Sequence, residues 1–209
     1  MRDKYVLFGE GPDDSNMLYH LLTRHGLSEP LTIKSGGGIE KLLATLPTEL
    51  RLNSELERVG LVIDADTDLD ARWMALQNVL QKTGTVDLPK TPEREGTIVS
   101  LDLPDRTLRV GVWIMPDNTL PGMLEDFISF LVPATDTLWP RAADCIAQIP
   151  ADERLFPPQH QSKAHLHTWL AWQKEPGKPM GQAITKRFLD PDAPYAQTLI
   201  AWLRRLFDL

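Results

Sequence analysis

The chain has 209 residues, 29 acidic against 22 Lys and Arg, for a formal charge of −7. An apolar share of 42% and a charged share of 24% fit one soluble globular domain, which excludes disorder and collagen-like repeats, and the acidic balance argues against binding nucleic acid through bulk positive charge. A lone Cys145 excludes an intramolecular disulfide and a cysteine zinc site, no apolar run of about 18 residues can span a membrane, and a start acidic by Asp3 is unlike a signal peptide, so a cytoplasmic protein is expected.

The first third reads as βα units on a parallel sheet. Tyr5-Val6-Leu7-Phe8 is a short apolar strand ending in the turn Gly9-Glu10-Gly11-Pro12. Asp13, Asp14 and Ser15 are helix starters before Met17, Leu18, Leu21 and Leu22 at helical spacing, and Gly26 closes that helix. Leu31-Thr32-Ile33 is a second strand, followed by Ser35 and the glycines 36–38, then a helix from about Ile39. Val59-Gly60-Leu61-Val62-Ile63 is the clearest buried strand and stops at Asp64-Ala65-Asp66. A helix from roughly Asp68 to Lys82 carries Trp73, Leu76, Val79 and Leu80.

Beyond residue 83 the pattern changes. Segment 86–96, with Pro89, Pro92 and Gly96, reads as a mobile loop. Thr97–Leu103 and Leu108–Met115 form a hairpin around Pro104-Asp105-Arg106, Leu124–Leu131 is helical, and the remainder is helical with proline breaks. An α/β domain over 1–132 is expected, a mostly parallel sheet flanked by helices, with a helical extension over 133–209 packed on it. Residues 160–209 hold seven basic and four acidic groups, a balance of +3, which leaves −10 for the rest. The basic tail is either a phosphate-facing surface or a set of solvated helix faces.

Loops at the carboxyl ends of parallel strands form the ligand crevice of such folds. Glu10 follows the first strand. Asp64 and Asp66 follow the third, and i, i+2 spacing puts both on one side of an extended backbone. Three convergent carboxylates repel unless one takes a proton or a cation joins them. Hard oxygen ligands suit Mg²⁺ or Mn²⁺. The plainer reading is that the aspartates cap the next helix. Asp68 extends the acidic run, as a second ligand or as a cap. Asp117 ends the run Val110–Met115, and Glu125 and Asp126 open the following helix. Together these could complete a two-metal arrangement, or be a turn and a solvated first turn.

A strand ending in Glu-Gly, a helix, and later an apolar strand ending in Asp-x-Asp resembles the Toprim domain of topoisomerases, primases and OLD-family nucleases. A fuller likeness is to a Toprim-related family of short bacterial proteins of unknown function. It rests on Gly9–Asp14, Val62–Asp66, Val112–Asn118, Leu124–Asp126 and Trp169–Gln173. The resemblance implies Glu10, Asp64 and Asp66 as the acidic site residues, with Glu10 a ligand or general acid/base. It implies Asp68, Asp117, Glu125 and Asp126 as further metal ligands, Mg²⁺ or Mn²⁺ as cofactor, and Lys163 as the residue that steadies charge on the transferred phosphate. It further implies a phosphodiester hydrolase acting on nucleic acid, DNA or RNA unresolved, with an ATPase partner. A degenerate Toprim-like module that binds an ion or partner without cleaving anything is the rival reading.

Other readings fit less well. Asp64-Ala65-Asp66-Thr67 matches a haloacid-dehalogenase nucleophile motif but follows the third strand where that motif belongs on the first. Receiver domains need later Thr or Ser and Lys positions that are not found here. The triple glycine before a helix could cradle an anion, but no Lys-Ser/Thr follows. His160, His165 and His167 lack the spacing of a zinc trio. Trp169, Trp172 and Trp202 read as core or interface residues.

Overall fold

The computed structural model describes residues 3–209. It is an α/β fold on a six-stranded sheet of order β2-β1-β3-β6-β5-β4. Strands β1 (Tyr5–Gly9), β2 (Thr32–Ser35), β3 (Arg58–Asp64) and β6 (Thr107–Met115) run parallel. The hairpin partner β5 (Thr97–Asp102) and the short β4 (Thr85–Val86) are antiparallel to their neighbours. Registers pair Gly9 with Val62 and Asp64 with Met115, so the third and sixth strands end level and the first stops two residues short, where Glu10 takes over.

Strand alternation divides the core in two. Val6, Phe8, Val59, Leu61, Ile63, Val110, Val112 and Ile114 face one side, where α2 (Ile39–Leu52) and α3 (Leu69–Thr83) cover them with Leu42, Leu46, Trp73, Leu76 and Leu80. Leu7, Val62, Trp113 and Met115 face the other side. There α1 (Pro12–Arg24), α4 (Leu124–Ser129), α5 (Leu138–Ala147), α6 (Gln161–Ala171), α7 (Met180–Thr185) and α8 (Pro194–Phe207) build the larger core.

Residues 133–209 therefore supply much of one face of the sheet. Trp202, Leu203, Leu206 and Phe207 of α8 are buried against it. Gly111 of β6 makes the close approach possible: a Cβ there would lie 2.5 Å from Leu206 Cδ2 and 2.9 Å from Trp202 Cζ2. No helix among the described residues is long and apolar enough to cross a membrane.

The 86–96 segment differs from the mobile loop expected of its prolines. Trp73 Nε1 and Gln77 Nε2 both donate to Pro89 O, Asn118 Nδ2 donates to Arg94 O, and an Arg205 amine donates to Glu95 O. Backbone carbonyls that cannot join a ladder are bonded here by side chains of α3, α8 and the turn after β6.

Candidate acidic site

Four carboxyl groups gather where the parallel strands end. Glu10 leaves β1 and its Oε2 accepts the backbone N–H of Asp64 at 3.1 Å, tying the first strand's loop to the end of the third. Asp14 reaches the same place from α1. Pro12 at the first helical position fixes the register, so Asp14 is the third residue of the helix and turns back to accept Gly11 N–H at 2.9 Å. Gly9 leaves room for this: a Cβ on it would sit 2.8 Å from Asp14 Cβ. Glu125, in the first turn of α4, is only 3% exposed.

The charges are poorly compensated. Burial pushes Asp14 up to about 7, helped by repulsion from Glu10 and Glu125. Burial pushes Asp64 up to about 9, helped by Asp14, Glu10, Glu125 and Asp66 in that order. Glu10 is also raised by burial, against the Asp64 N–H bond and the Arg72 charge, which lower it. Asp14 Oδ1 and Asp64 Oδ1 are buried and have no hydrogen-bond partner. A buried, unpartnered carboxylate oxygen is costly unless a proton or a cation meets it.

Two cations bracket the group. Lys163 Nζ on α6 lies 3.2 Å from Glu125 Oε1. Burial alone would lower its pKa, but attraction from Glu125, Asp13 and Asp64 outweighs this and raises it. Arg72, one turn into α3, donates Nε–H to Asp64 O at 2.8 Å and a second bond to the Asp66 carboxylate.

Three of the acids foreseen from spacing have other partners. The extended-backbone expectation fails at Asp66: its φ of 54° is left-handed, its N–H bonds Gly122 O, and its carboxylate is held by Arg72. Asp68 is the N-cap of α3, accepting Ala71 N–H at 2.9 Å. Asp117 closes a turn, one carboxylate oxygen accepting from Thr119 N, Thr119 Oγ1 and Leu120 N.

Asp126 caps α4 by accepting Met123 N–H and also accepts Ser162 Oγ–H. With Asp66, Thr67, Gly122, Gln159 and His160 it lines a cleft of about 540 Å³ beside the cluster. Among the described residues, no three His, Cys, Asp or Glu side chains are gathered into a ready metal cage. What fits a hard cation is the chemistry of the donors: adjacent buried carboxyls, two with an oxygen left over.

The triple glycine is not an anion cradle. Gly36 N–H bonds Gly9 O, Gly38 N–H bonds Glu10 O, and Gly37 N–H bonds Ser35 Oγ. Two of these donors, on Gly36 and Gly38, fix the loop that carries Glu10, and the third is used within the glycine loop itself. His165 stacks on Trp139 and bonds its carbonyl. The basic tail is partly neutralised within the fold, by Lys186–Glu175 at 2.8 Å and Arg205–Glu95 at 3.6 Å.

From the sequence, Asp14 reads as a helix starter and not as a site residue, and Arg72 is not singled out. The proline at the first helical position was a usable signal for Asp14, because it sets which residue of the next turn faces back toward Glu10. No local pattern marks Arg72, whose partners lie on the preceding strand and loop.

A family model described as "Protein of unknown function (DUF3226)" matches residues 4–208, and the chain belongs to that family. No curated protein and no solved structure matches it.

Proposed function

We propose that the protein is a Toprim-type phosphodiester hydrolase acting on nucleic acid, dependent on Mg²⁺ or Mn²⁺, with its acidic site built from Glu10, Asp14, Asp64 and Glu125. The observation that carries this reading is buried Asp14 beside half-buried Asp64, each with a buried, unpartnered oxygen and each raised far above an ordinary aspartate. Purely structural acids are normally hydrogen-bonded or paired. Perturbed acids at the carboxyl edge of a parallel sheet are functional candidates.

When bound, Mg²⁺ supplies charge neutralisation and lowers the pKa of bound water. Asp14, Asp64 and Glu125 would hold it. Glu10, whose basicity is raised by burial, is placed to accept a proton. Lys163, already drawn to the cluster, offsets charge on phosphate oxygens. Arg72 fixes the loop between Asp64 and Asp66. The acidic body leaves substrate affinity to these few groups, which is consistent with a partner such as an ATPase that delivers or opens the substrate.

The test is calorimetric titration with Mn²⁺, followed by cleavage assays on single-stranded DNA, supercoiled DNA and structured RNA. Glu10→Gln should reduce cleavage about 10²-fold or more while Mn²⁺ still binds. Asp64→Asn should weaken Mn²⁺ itself. Cleavage that survives Glu10→Gln, or Mn²⁺ affinity unchanged by Asp64→Asn, would overturn the assignment. Intact Mn²⁺ binding with no cleavage of any substrate would instead identify a binding module.

A further inference from the structure

A second cleft opens on the same edge of the sheet, and nothing in the acidic site uses it. Its volume is about 480 Å³, and its walls come from the loop before β5 (Arg94, Glu95), the end of β6 (Trp113, Asp117) and the start of α8 (Tyr195, Thr198). That volume is within the range of small-ligand sites.

Four features describe what it would accept. Phe130 stacks on Tyr195 at 4.1 Å between centroids and 27° between planes, while Tyr195 stays 39% exposed and lines the cleft. One ring thus backs another whose remaining surface is open. The Arg94 side chain is exposed and, among the described residues, its guanidinium has neither a hydrogen bond nor an ion pair. Trp113 is 1% exposed, and its indole N–H has no acceptor. Glu95 is offset by Arg205 at 3.6 Å, which leaves Arg94 against Asp117 and a lining close to neutral. A neutral planar ring with hydrogen-bonding edges matches this lining better than a phosphate does.

Its position relative to the acids matters as much. Phe130 ends α4, the helix whose first turn carries Glu125. Five residues at 1.5 Å rise separate them by about 7.5 Å along the helix axis. Asp117 lies two residues beyond Met115, the register partner of Asp64. The cleft and the acidic site are therefore tied to the same short helix and to the same end of β6.

We infer that this cleft is a base-binding subsite, in which an unpaired nucleobase next to the scissile phosphate stacks on Tyr195 and is held by Arg94. The inference rests on the hydrolase reading and adds a substrate class to it: strands with at least one unpaired base beside the cut. Aromatic stacking tolerates any base, because every base has a π-face, and Arg adds a cation–π contribution. A paired base in a duplex cannot enter.

The experiment measures binding, so that it does not depend on cleavage. Anisotropy of a labelled single-stranded decanucleotide and of its duplex is followed with Ca²⁺ in place of Mg²⁺. Single strand should bind more tightly than duplex. Tyr195→Ala should weaken single-strand binding about tenfold or more, Tyr195→Phe should rescue it, and Arg94→Ala should weaken it several-fold. An abasic site moved along the strand should cost affinity at one position in the parent and at none in Tyr195→Ala.

Single-strand binding that is indifferent to Tyr195→Ala, or an abasic scan that is flat in the parent, would overturn the subsite and leave the hydrolase reading standing. No binding to any nucleic acid would remove both. The abasic scan on the parent decides the matter even if Tyr195→Ala fails to fold.

Discussion

Metal-free protein should lose stability as pH rises from 5 to 8, the reverse of ordinary acid denaturation. Asp14 is held up at about 7 and Asp64 at about 9. An unfolded aspartate titrates near 4. Over that window the fold keeps protons that the unfolded chain has released, so stability present at low pH is lost as pH climbs through the folded values. Each pH unit per retained proton is worth about 1.4 kcal/mol. The two carboxyls raise each other, so we count one retained proton, or about 4 kcal/mol over three units.

Acids with lowered values, Asp3 and Glu175, have completed their contribution before the window is reached. His20, lowered by burial, works in the opposite sense as its proton leaves near or below its ordinary 6.5. At about 2–4 °C per kcal/mol for a chain of this size, the melting temperature in chelator should fall by about 10 °C from pH 5 to pH 8. Asp14→Asn with Asp64→Asn should flatten the slope, because asparagine at position 14 can still accept Gly11 N–H. Mn²⁺ at pH 8 should restore the parent and leave the double variant unmoved. A parent whose melting temperature is level or rising across the window, or a double variant that falls as steeply, would refute the electrostatic argument.

Lys163→Ala strands the Glu125 carboxylate, whose side chain is 4% exposed; the cost should be about 1–2 kcal/mol, below the range for fully buried pairs because Lys163 is half exposed. Glu125→Gln added to it should recover most of that loss in urea unfolding, and an additive double variant would show that the pair does not interact. Gly111→Ala forces a methyl into Leu206 and Trp202, and overpacking should cost about 1–3 kcal/mol in the same assay. Asp68→Ala should remove a helix cap worth about 1 kcal/mol yet leave Mn²⁺ affinity in titration calorimetry as it was. A loss of metal affinity there would return Asp68 to the site.

The local pattern was sufficient for most of the fold. Val59 to Ile63 is an unbroken apolar run that only a strand buried on both faces requires, and the structure buries all its side chains. Leu18, Leu21 and Leu22 recur at the helical period and turn inward for the same reason. Short-range rules therefore located strands, helices and the two acids, Glu10 and Asp64, that end adjacent parallel strands. They gave no weight to the two-residue β4, whose pairing with β5 spans a loop.

What sequence could not decide was which carboxylates meet. Asp64, Asp66 and Asp68 look equivalent along the chain, yet one is half-buried with a buried, unpartnered oxygen, one turns left-handed to pair with Arg72, and one caps a helix. Asp14 and Glu125 join Asp64 only because α1 and α4 both bring their first turns to the same sheet edge. The rise of Asp14 and Asp64 above ordinary aspartates comes from burial at that edge and from repulsion among Glu10, Asp14, Asp64 and Glu125. A carboxylate's pKa is set by the dielectric and charge around it, and those are supplied by residues distant in sequence.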